Sequence, residues 1–474
     1  MGQDAGIAVR TEADESRCRH ISDELRARGM WHIPGVAGEA RVWRISPTPF
    51  ALDKDLAELL VRLGPALLSF YSAVNALYLR SDCPWVNDYL DRGKPESLVE
   101  HAHMHYHRRR LPRIIRPDII LTDDGPRITE LDSVPGGMGQ LDAMSMLYGE
   151  FGFDIFGEPR GMLHGFDAMI RAAGGMDDPA LAIVVSDESA DYRPEMAWLA
   201  AELRGLGRRA WMVRPEELIF TEEGLFVEQD GRRIGLDVVY RFFELFDLRN
   251  IPKAELVAYA AKKKLVVVTP PYKHYLEEKL LLALLHHPML EEYWVKMLGP
   301  EDYLMLRELV SRTWILDSRP VPPHAVAADF RFRGRPVQDW RVIEQGTQKE
   351  RRLIIKPSGF SPLAWGSRGV VVGHDVSAER WASAVEHALA SFDTLPHVLQ
   401  HFYEGKRVSV RYYDRDSKAV RDMEGRVRLS PYYYVLEEGT SLAGVLATVV
   451  PLDKKLIHGM IDAVMVPCMV GSDA

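Results

Sequence analysis

Cysteine is scarce in this chain, and so are long apolar runs. Cys18, Cys83 and Cys468 stand far apart and form no CxxC pair. This spacing excludes a disulfide framework and a zinc knuckle and is typical of a reducing compartment. No uninterrupted apolar run approaches the length of a membrane span, and no basic segment followed by an apolar core opens the chain. We therefore expect a cytoplasmic protein that does not enter a membrane.

An excess of positive charge is also absent. The formal net charge is −9, whereas nucleic-acid-binding proteins usually carry a basic footprint, so we expect no nucleic-acid partner. The hydrophobic content of 47% and the charged content of 27% are those of an ordinary globular protein. At 474 residues the chain is long enough for about three domains.

Two nucleotide-binding signatures are missing. No GxxxxGK[ST] motif occurs, and no GxGxxG motif opens the first helix of the segment where strands and helices alternate. These absences exclude a P-loop and a dinucleotide-binding fingerprint. Any nucleotide site in this protein must therefore be of another type.

The hydrophobic pattern predicts a mixed α/β protein. Apolar residues at spacings of three and four predict a mostly helical segment over the first hundred or so residues. From about 180 to 270, short apolar runs alternate with amphipathic helices, which predicts βαβ units and a parallel sheet. Further on, we expect one long helix over 275–294 and a closing helix over 455–467.

A pair of carboxylates stands out in the stretch RITELDSVPGGMGQ, residues 127–140. On a strand, Glu130 and Asp132 would point to the same face. Two like charges held together are costly unless a cation lies between them, and carboxylate oxygens suit Mg²⁺. The alternative is a pair of solvated acids at the edge of a turn.

Two later segments could bind phosphates and a base. Lys356 ends an apolar strand and is followed by a Gly/Ser loop, an arrangement that can bind phosphate, although a surface hairpin would look similar. A second apolar strand runs into Gln400, His401 and Phe402, which could present backbone groups and an aromatic edge to an adenine. Ordinary sheet core is the alternative for that strand.

Basic residues cluster between 101 and 113. We interpret the four histidines at 101, 103, 105 and 107 as a solvated face and not as a metal site, because no acid or thiol is spaced to complete one. The run from Arg108 to Arg113 could recognise an anionic substrate, since arginine pairs with carboxylates. A solvated surface is the alternative. Arg428 enters an apolar run and needs a partner, which makes it a candidate phosphate or substrate contact.

Taken in order, these pieces resemble the circularly permuted ATP-grasp proteins, which include the eukaryotic-type glutathione synthetases and the glutathionylspermidine synthetases. The pieces are RPDIILTDDGPRITELDSVPGG, a βαβ segment with VVYRFFEL, a helix bearing Lys279, the IIKP and GSRGV hairpin, and VLQHFYEG. The resemblance spans residues 110 to 450. It implies an α/β (α+β) ATP-grasp fold, circularly permuted, with an inserted Rossmann-like substrate domain and an N-terminal helical segment.

The resemblance also implies domain limits. They are residues 1–110 for the helical segment, 111–175 for the first part of the ATP-grasp domain, 176–270 for the Rossmann-like domain, and 271–474 for the main ATP-grasp domain with a glycine-rich lid at about 350–375.

Roles for single residues follow from the resemblance. Glu130 and Asp132 would bind Mg²⁺ that bridges the ATP phosphates, and Arg116, Lys279 and Lys356 would supply catalytic charge. The expected ATP contacts are Lys279, Lys356, Gly366, Ser367, Arg368, Gly369, Gln400, His401 and Phe402. The expected substrate contacts are Asp118, Gly136, Gly137 and Arg241, to which Arg428 is added on its own sequence context.

The implied activity is ATP-dependent carboxylate–amine ligation through an acyl phosphate, with small-molecule substrates and a homodimeric assembly. One departure matters, because relatives carry a third metal-binding glutamate shortly after the strand-end lysine, and KPSGFSPLAWGS has no acid. Asp118 or Glu404 could substitute for it. Otherwise the second Mg²⁺ is weakly held, or the protein is a non-catalytic nucleotide-binding scaffold. A hydrolase that uses Glu130 and Asp132 as an acid/base pair is disfavoured, because such pairs sit across the substrate.

Overall fold

The computed structural model describes residues 2–30, 43–80, 82–319, 330–364, 366–459 and 462–471, without side chains for residues 2–11. Its helices are α1 Gly2–Ala27, α2 Lys54–Tyr78, α3 Pro84–Leu90, α4 Glu96–His103, α5 Met138–Glu150, α6 Gly161–Gly174, α7 Arg193–Gly205, α8 Ala254–Lys262, α9 Leu280–Leu285, α10 Glu291–Leu298, α11 Pro300–Leu309 and α12 Ala378–Ala390. The strands of the first half are β1 Phe50–Leu52, β2 Ile114–Thr122, β3 Gly125–Asp132, β4 Leu181–Val185, β5 Ala210–Val213, β6 Ile219–Thr221, β7 Gly224–Gln229, β8 Arg232–Gly235, β9 Val238–Phe242 and β10 Val267–Thr269. Those of the second half are β11 Thr313–Leu316, β12 Arg331–Phe332, β13 Arg335–Pro336, β14 Leu353–Pro357, β15 Val371–Val372, β16 His397–His401, β17 Arg407–Asp414, β18 Ala419–Val435, β19 Thr440–Pro451 and β20 Val464–Val470.

The largest sheet has the strand order β1-β20-β19-β18-β2-β3 and joins both ends of the chain. Its long central strand, β18, pairs with β17 along its first half and with β2 along its second half. That second pairing sets Arg428 opposite Ile120, two residues beyond Asp118 on β2. Because side chains alternate along strands, the sheet brings polar residues of β2, β3 and β18 to one face.

The second sheet is parallel throughout, in the order β10-β9-β4-β5. Helix α7 connects β4 to β5, and α8 connects β9 to β10. All five residues of β4 are buried, as expected for a central strand covered on both faces. The predicted parallel sheet is confirmed. The antiparallel strands β6, β7 and β8, which lie between β5 and β9 in the chain, were not predicted.

The third sheet is antiparallel, in the order β11-β16-β14-β15, and α12 packs against it around Trp381. Pairing of Ile354 with Val372 and of Ile355 with Val371 confirms the predicted hairpin. Lys356, at the end of β14, reaches across to the carbonyl oxygen of Thr129 on β3. The third sheet therefore faces the first at the carboxylate-bearing strand.

Helix α2 is the main core helix of the N-terminal segment. Asp53 caps it, accepting a hydrogen bond from the Leu56 N–H at 2.8 Å. Its buried residues recur every three to four positions and share one hydrophobic cluster with the first sheet. By length and composition this helix could span a membrane, but 56% of its most apolar window is buried inside the protein.

Two predicted helices are wrong. Over 275–294 the chain forms the short α9 and then α10, separated by a turn at Pro288, which has no N–H to continue a helix. Of the predicted closing helix over 455–467, residues 455–459 form no helix and residues 464–467 belong to β20, while residues 460 and 461 lie outside the described part of the chain. This strand begins at Val464 and pairs with β19 and β1, so backbone pairing to two neighbours outweighs the local helical spacing.

Candidate functional site

The β2–β3 hairpin builds the charged centre of the site. Its register sets Arg116 opposite Asp132 and Asp118 opposite Glu130. Paired residues of antiparallel strands have adjacent side chains, so two sequence motifs 14 residues apart become one cluster. The two carboxylates of RITELD do lie on the same side of the hairpin, as the strand pattern predicts.

Arginines neutralise part of this cluster. Arg116 is ion-paired with Asp132 at 2.9 Å and with Asp118 at 3.3 Å. Arg428 of β18 contacts Asp118 at 3.0 Å, and the Ser430 hydroxyl donates to the same carboxylate at 3.0 Å. Burial would raise the pKa of Asp118, but the two guanidinium groups hold it below its ordinary value. For Asp132 the effect of burial outweighs that of Arg116, so the pKa of this carboxyl is raised.

Two lysines border the cluster on the side of the third sheet. Lys279, at the start of α9, is ion-paired with Glu130 at 2.7 Å, and this contact raises the pKa of Lys279 against the effect of burial. Lys356 is only 8% exposed and donates to Gln400 Oε1 at 2.8 Å and to the Thr129 carbonyl oxygen at 3.3 Å. Burial lowers the pKa of Lys356 to about 8, and nearby Lys279 contributes in the same direction.

Two cavities meet at this charged centre. The first, which we call the lysine cavity, has a volume of about 300 Å³ and combines cationic side chains with apolar ones. Its cations are Lys279, Arg352, Lys356, Arg426, Arg428 and Lys455, and its apolar lining includes Ile120, Ile354, Val370, Phe402, Leu456 and Ile457. Such a lining suits a ligand with several phosphates and an apolar ring.

The second cavity, which we call the tyrosine cavity, has a volume of about 310 Å³ and an acidic lining. Its carboxylates are Asp118, Glu130, Asp132, Asp191, Glu195 and Glu244, and its aromatic walls are Trp43, Tyr192, Phe242 and Tyr432. Four residues line both cavities: Asp118, Glu130, Ser367 and Arg428. A ligand in one cavity would therefore meet a ligand in the other at these residues.

The predicted adenine contacts are largely engaged within the protein. Gln400 is fully buried and contacts Lys356 and Thr313 through its side chain. The N–H groups of His401 and Phe402 donate to the Arg312 and Arg352 carbonyl oxygens at 2.8 and 3.0 Å. All three residues line the lysine cavity, as do residues 403–405 just beyond the end of β16. Backbone contacts to a ring are therefore better placed at 403–405, past the paired part of the strand.

The predicted glycine-rich lid lies over the junction of the cavities. Gly366 and Ser367 both have a φ of +61° and line the tyrosine cavity. Arg368 instead forms an ion pair with Glu188 at 2.9 Å, which joins this loop to the segment after β4. The backbone N–H of Gly369 donates to the Leu363 carbonyl oxygen at 2.9 Å, so that residue closes the loop on itself.

The Gly136–Gly137 turn is held by side chains from distant elements. The Gly136 carbonyl oxygen accepts hydrogen bonds from Tyr432 Oη at 2.7 Å and from Arg116 Nη1 at 3.2 Å. The N–H of Gly137 donates to Glu195 Oε1 at 2.8 Å. Burial raises the pKa of Glu195 to about 7. The turn lines the tyrosine cavity as expected, but Glu195 already occupies the Gly137 N–H that a substrate anion would use.

Gly137→Ala is expected to destabilise the protein by on the order of 2–3 kcal/mol, because φ is positive there and the new methyl group meets Tyr432. The φ of Gly137 is +90°, and an added Cβ would lie 2.7 Å from Tyr432 Oη. Gly152→Ala is the matched control, since its φ of +80° has nothing within 4 Å of an added Cβ. Urea unfolding should show a clearly larger loss for Gly137→Ala; equal losses would mean that the Tyr432 contact is unimportant.

Arg241 lies behind the site instead of in it. Its side chain is fully buried, bonded to Glu277 and to the carbonyl oxygens of Phe243 at 2.5 Å and Pro270 at 3.2 Å. It lines neither cavity. We therefore expect Arg241 to orient Glu277 and not to contact a substrate directly.

The two substitutes considered for a third metal carboxylate are engaged elsewhere. Asp118 is shared between Arg116 and Arg428, and Glu404 pairs with Arg426 at 3.1 Å. Within the described part of the chain, no three His, Cys, Asp or Glu side chains are grouped so that they could hold a metal ion. Sequence reasoning missed Glu244, which lines the tyrosine cavity beside Glu130 and Asp132. Burial, with help from Glu277 and Asp132, raises the pKa of Glu244 to about 8.

Comparison with known proteins supports the assignment of a mixed α/β fold. No protein-family model matches the chain, and no curated protein matches it. A glutathione synthetase-like effector from Globodera pallida, solved in its apo form, aligns over 96% of this chain and 97% of its own at a TM-score of 0.59 and 11% identity. The chain therefore shares the mixed α/β fold of that protein, and at this identity the likeness concerns the fold alone.

Two further solved structures align less well. A γ-glutamylcysteine synthetase-like protein from Methylobacillus flagellatus KT aligns over 84% of this chain and 85% of its own, at a TM-score of 0.39 and 12% identity. D-alanyl-alanine synthetase A from Vibrio cholerae O1 aligns over 57% of this chain and 89% of its own, at a TM-score of 0.24 and 12% identity.

Proposed function

We propose that this protein is an ATP-dependent carboxylate–amine ligase of the ATP-grasp type, which joins its substrates through an acyl phosphate. The observation that carries the proposal is the meeting of the lysine cavity and the tyrosine cavity at Asp118, Glu130 and Arg428. Such a ligase must bring the terminal phosphate of ATP to a substrate carboxylate. Two adjoining cavities of opposite charge, joined at one cluster, provide that arrangement.

The lysine cavity would hold ATP. Lys279 and Lys356 would contact its phosphates, and residues 403–405 would face the adenine with backbone groups. The apolar side chains of Ile354 and Ile457 line the same cavity and offer a surface for the ring. Ser367, in the glycine-rich loop, lies where a lid would close over the phosphates.

Two carboxylates of the site suit Mg²⁺. Mg²⁺ is often held by one or two carboxylates together with phosphate oxygens, and Glu130 and Asp132 supply two. Both now pair with cations, Lys279 and Arg116. We propose that these cations contact phosphate oxygens instead when ATP is bound, which leaves the carboxylates for the metal. When bound, Mg²⁺ would offset the negative charge of the phosphates.

The chemistry asks mainly for positioning and for charge. A carboxylate oxygen of the substrate would bond to the terminal phosphorus of ATP as the bond to ADP breaks. The amine nitrogen would then bond to the acyl carbon, phosphate would leave, and the amine would lose a proton. The main demand of such reactions is to stabilise the charge on the transferring phosphoryl group. Four cationic side chains would do so here: Arg116, Lys279, Lys356 and Arg428.

The topology of the second sheet supports a further part of the proposal. We propose a circularly permuted ATP-grasp arrangement in which the sheet β10-β9-β4-β5 belongs to an inserted Rossmann-like substrate domain. The parallel pairing of that sheet and its place in the chain order support this arrangement. We also propose that the protein is cytoplasmic, as the scarcity of cysteine predicts. The resemblance predicts that it forms a homodimer, which we propose as well.

A second candidate is a nucleotide-binding scaffold without catalysis. The observation in its favour is that Glu130 and Asp132 have no third carboxylate grouped with them for a metal among the described residues. Loss of metal binding would remove catalysis and leave the lysine cavity intact.

The test is ADP release from Mg·ATP in the presence of pools of amino acids, short peptides and polyamines. Wild type would be compared with Glu130→Ala and Lys356→Ala. We expect turnover that needs both a carboxylate and an amine and that each substitution reduces by about 10²-fold or more. ATP binding without turnover from any pool would identify the scaffold, and absence of ATP binding would contradict both candidates.

The rate should depend on pH through Lys356. Because the pKa of this lysine is lowered to about 8, its charge is nearly complete one pH unit below that value and is lost as the pH rises through it. The kcat/KM for ATP reports ionisations of the free enzyme, so it should fall by about tenfold per pH unit above pH 8. Lys356→Arg, which stays charged, should remove this decline. A wild-type profile that is flat from pH 7 to 10 would show that Lys356 is not required in its charged form.

A further inference from the structure

A basic groove lies away from both cavities, between the turn after α4 and the end of α8. Its cations are Arg108, Arg109, Arg110 and Lys264, and its floor includes Tyr106 and Val266. The groove has a volume of about 640 Å³. None of its lining residues lines the lysine cavity or the tyrosine cavity.

Two backbone features build the groove. Lys264 has a φ of +61°, which turns the chain sharply from α8 towards β10. Tyr106 lies against that turn with its hydroxyl 3.5 Å from the Val266 carbonyl oxygen, and the Arg110 guanidinium stacks 4.1 Å from the centre of the Tyr106 ring. Arg110 is thus held in place by the aromatic ring, while Arg108, Arg109 and Lys264 are exposed.

The charge of the groove is not compensated. Within the described ranges, no carboxylate forms an ion pair or a hydrogen bond with Arg108, Arg109, Arg110 or Lys264. Elsewhere on the surface such partners are present, as for Arg333 with Glu350 and Arg209 with Asp178. A concentration of unpaired cations is unusual in a chain whose net charge is −9.

The residues beneath the groove do not neutralise it. His101 and His107 are buried, with ring centres 4.3 Å apart, so the expectation of a solvated histidine face is wrong for these two. Lys273 is 1% exposed and donates to Asn75 Oδ1 at 2.5 Å. Burial, with a smaller contribution from Arg110, lowers the pKa of Lys273 to about 7. These three residues are therefore cations or neutral bases, and none of them supplies negative charge to the groove.

We propose that this groove binds a small polyanion that carries adjacent phosphate groups. Arginine side chains form paired hydrogen bonds with phosphate oxygens, and three consecutive arginines with a lysine opposite can contact several oxygens at once. Like charges held together raise the energy of the free protein, and a bound polyanion relieves that repulsion. The proposal does not depend on the ligase function, since the groove shares no residue with either cavity.

The probe is inorganic tripolyphosphate, titrated calorimetrically at low salt. Because the lysine cavity could also bind it, every protein in the series carries Lys356→Ala. Adding Arg108→Ser and Arg109→Ser should weaken binding by about tenfold or more, since two charge-assisted contacts are lost. The matched control adds Arg232→Ser and Arg233→Ser, two consecutive exposed arginines on β8, and should change the affinity by less than about twofold.

A further variant, a folding check and a second probe complete the test. Lys264→Gln alone should weaken binding by a few-fold, and thermal unfolding should show that all variants remain folded. Equal tripolyphosphate affinity for the groove variant and the control, or no binding to either, would overturn the proposal. A single-stranded oligonucleotide of ten thymidines that binds far more tightly than tripolyphosphate would overturn the assignment to a small ligand and point to a nucleic-acid backbone.

Discussion

Lys356→Ala is expected to reduce ATP-dependent turnover by about 10²- to 10³-fold, the usual effect of removing one group that stabilises transition-state charge. Lys356 ends β14 inside the lysine cavity, with its ammonium 2.8 Å from Gln400 Oε1 and 3.3 Å from the Thr129 carbonyl oxygen. These neutral partners hold the charge in place without cancelling it. A phosphate entering the cavity would therefore meet a fixed cation whose hydrogen-bond partners among the described residues are neutral, and alanine cannot supply such a charge.

Lys349→Ala is the matched control for that substitution. Lys349 is exposed, lies shortly before β14, and lines neither cavity. ADP release by this variant should equal that of wild type within about twofold, as for other surface substitutions. If Lys356→Ala retains wild-type turnover while remaining folded, the lysine cavity is not where ATP reacts.

Glu130→Gln is expected to lower turnover by a similar factor, about 10²- to 10³-fold, and to remove most of its dependence on Mg²⁺. Glu130 borders both cavities and is ion-paired with Lys279 at 2.7 Å. An amide keeps the shape of the side chain and a hydrogen bond to Lys279, but it loses the negative charge that would bind a metal. The variant should bind the non-hydrolysable analogue AMP-PNP with nearly the same affinity in the presence and absence of Mg²⁺.

Glu424→Gln tests whether loss of any carboxylate has this effect. Glu424 is exposed on the first half of β18 and lines neither cavity. Its variant should keep the wild-type gain in AMP-PNP affinity on addition of Mg²⁺. An unchanged gain in Glu130→Gln as well would place the metal elsewhere.

Local patterns predicted much of the charged centre. Period-two alternation in RITELD placed Glu130 and Asp132 on one side of a strand, and the structure has them there. The parallel sheet followed from strands and helices of regular length. Arg428, expected to need a partner within an apolar run, has one in Asp118. Each of these features depends on a short stretch of chain or on the cost of an unpaired charge.

Features that depend on distant contacts could not be predicted. Glu195 reads as an ordinary acid in the first turn of α7, yet it binds a turn 58 residues away. Tyr432 reads as strand core, yet its hydroxyl holds Gly136 across 296 residues. Arg241 was expected to contact substrate, and only the fold shows that its charge is directed at Glu277. A sequence alone gives the chemistry of such side chains but not the neighbours that use it.

The transfer of ¹⁸O from a labelled carboxylate to phosphate tests the proposed ligase most directly. The wild-type protein would be given Mg·ATP, an amine pool, and amino acids and peptides whose carboxylates carry ¹⁸O, and the mass of the released phosphate would be measured. The account predicts phosphate with one ¹⁸O atom, because the carboxylate oxygen that attacks ATP leaves with the phosphate. Phosphate without label would mean simple ATP hydrolysis, and no phosphate from any pool would contradict the ligase assignment.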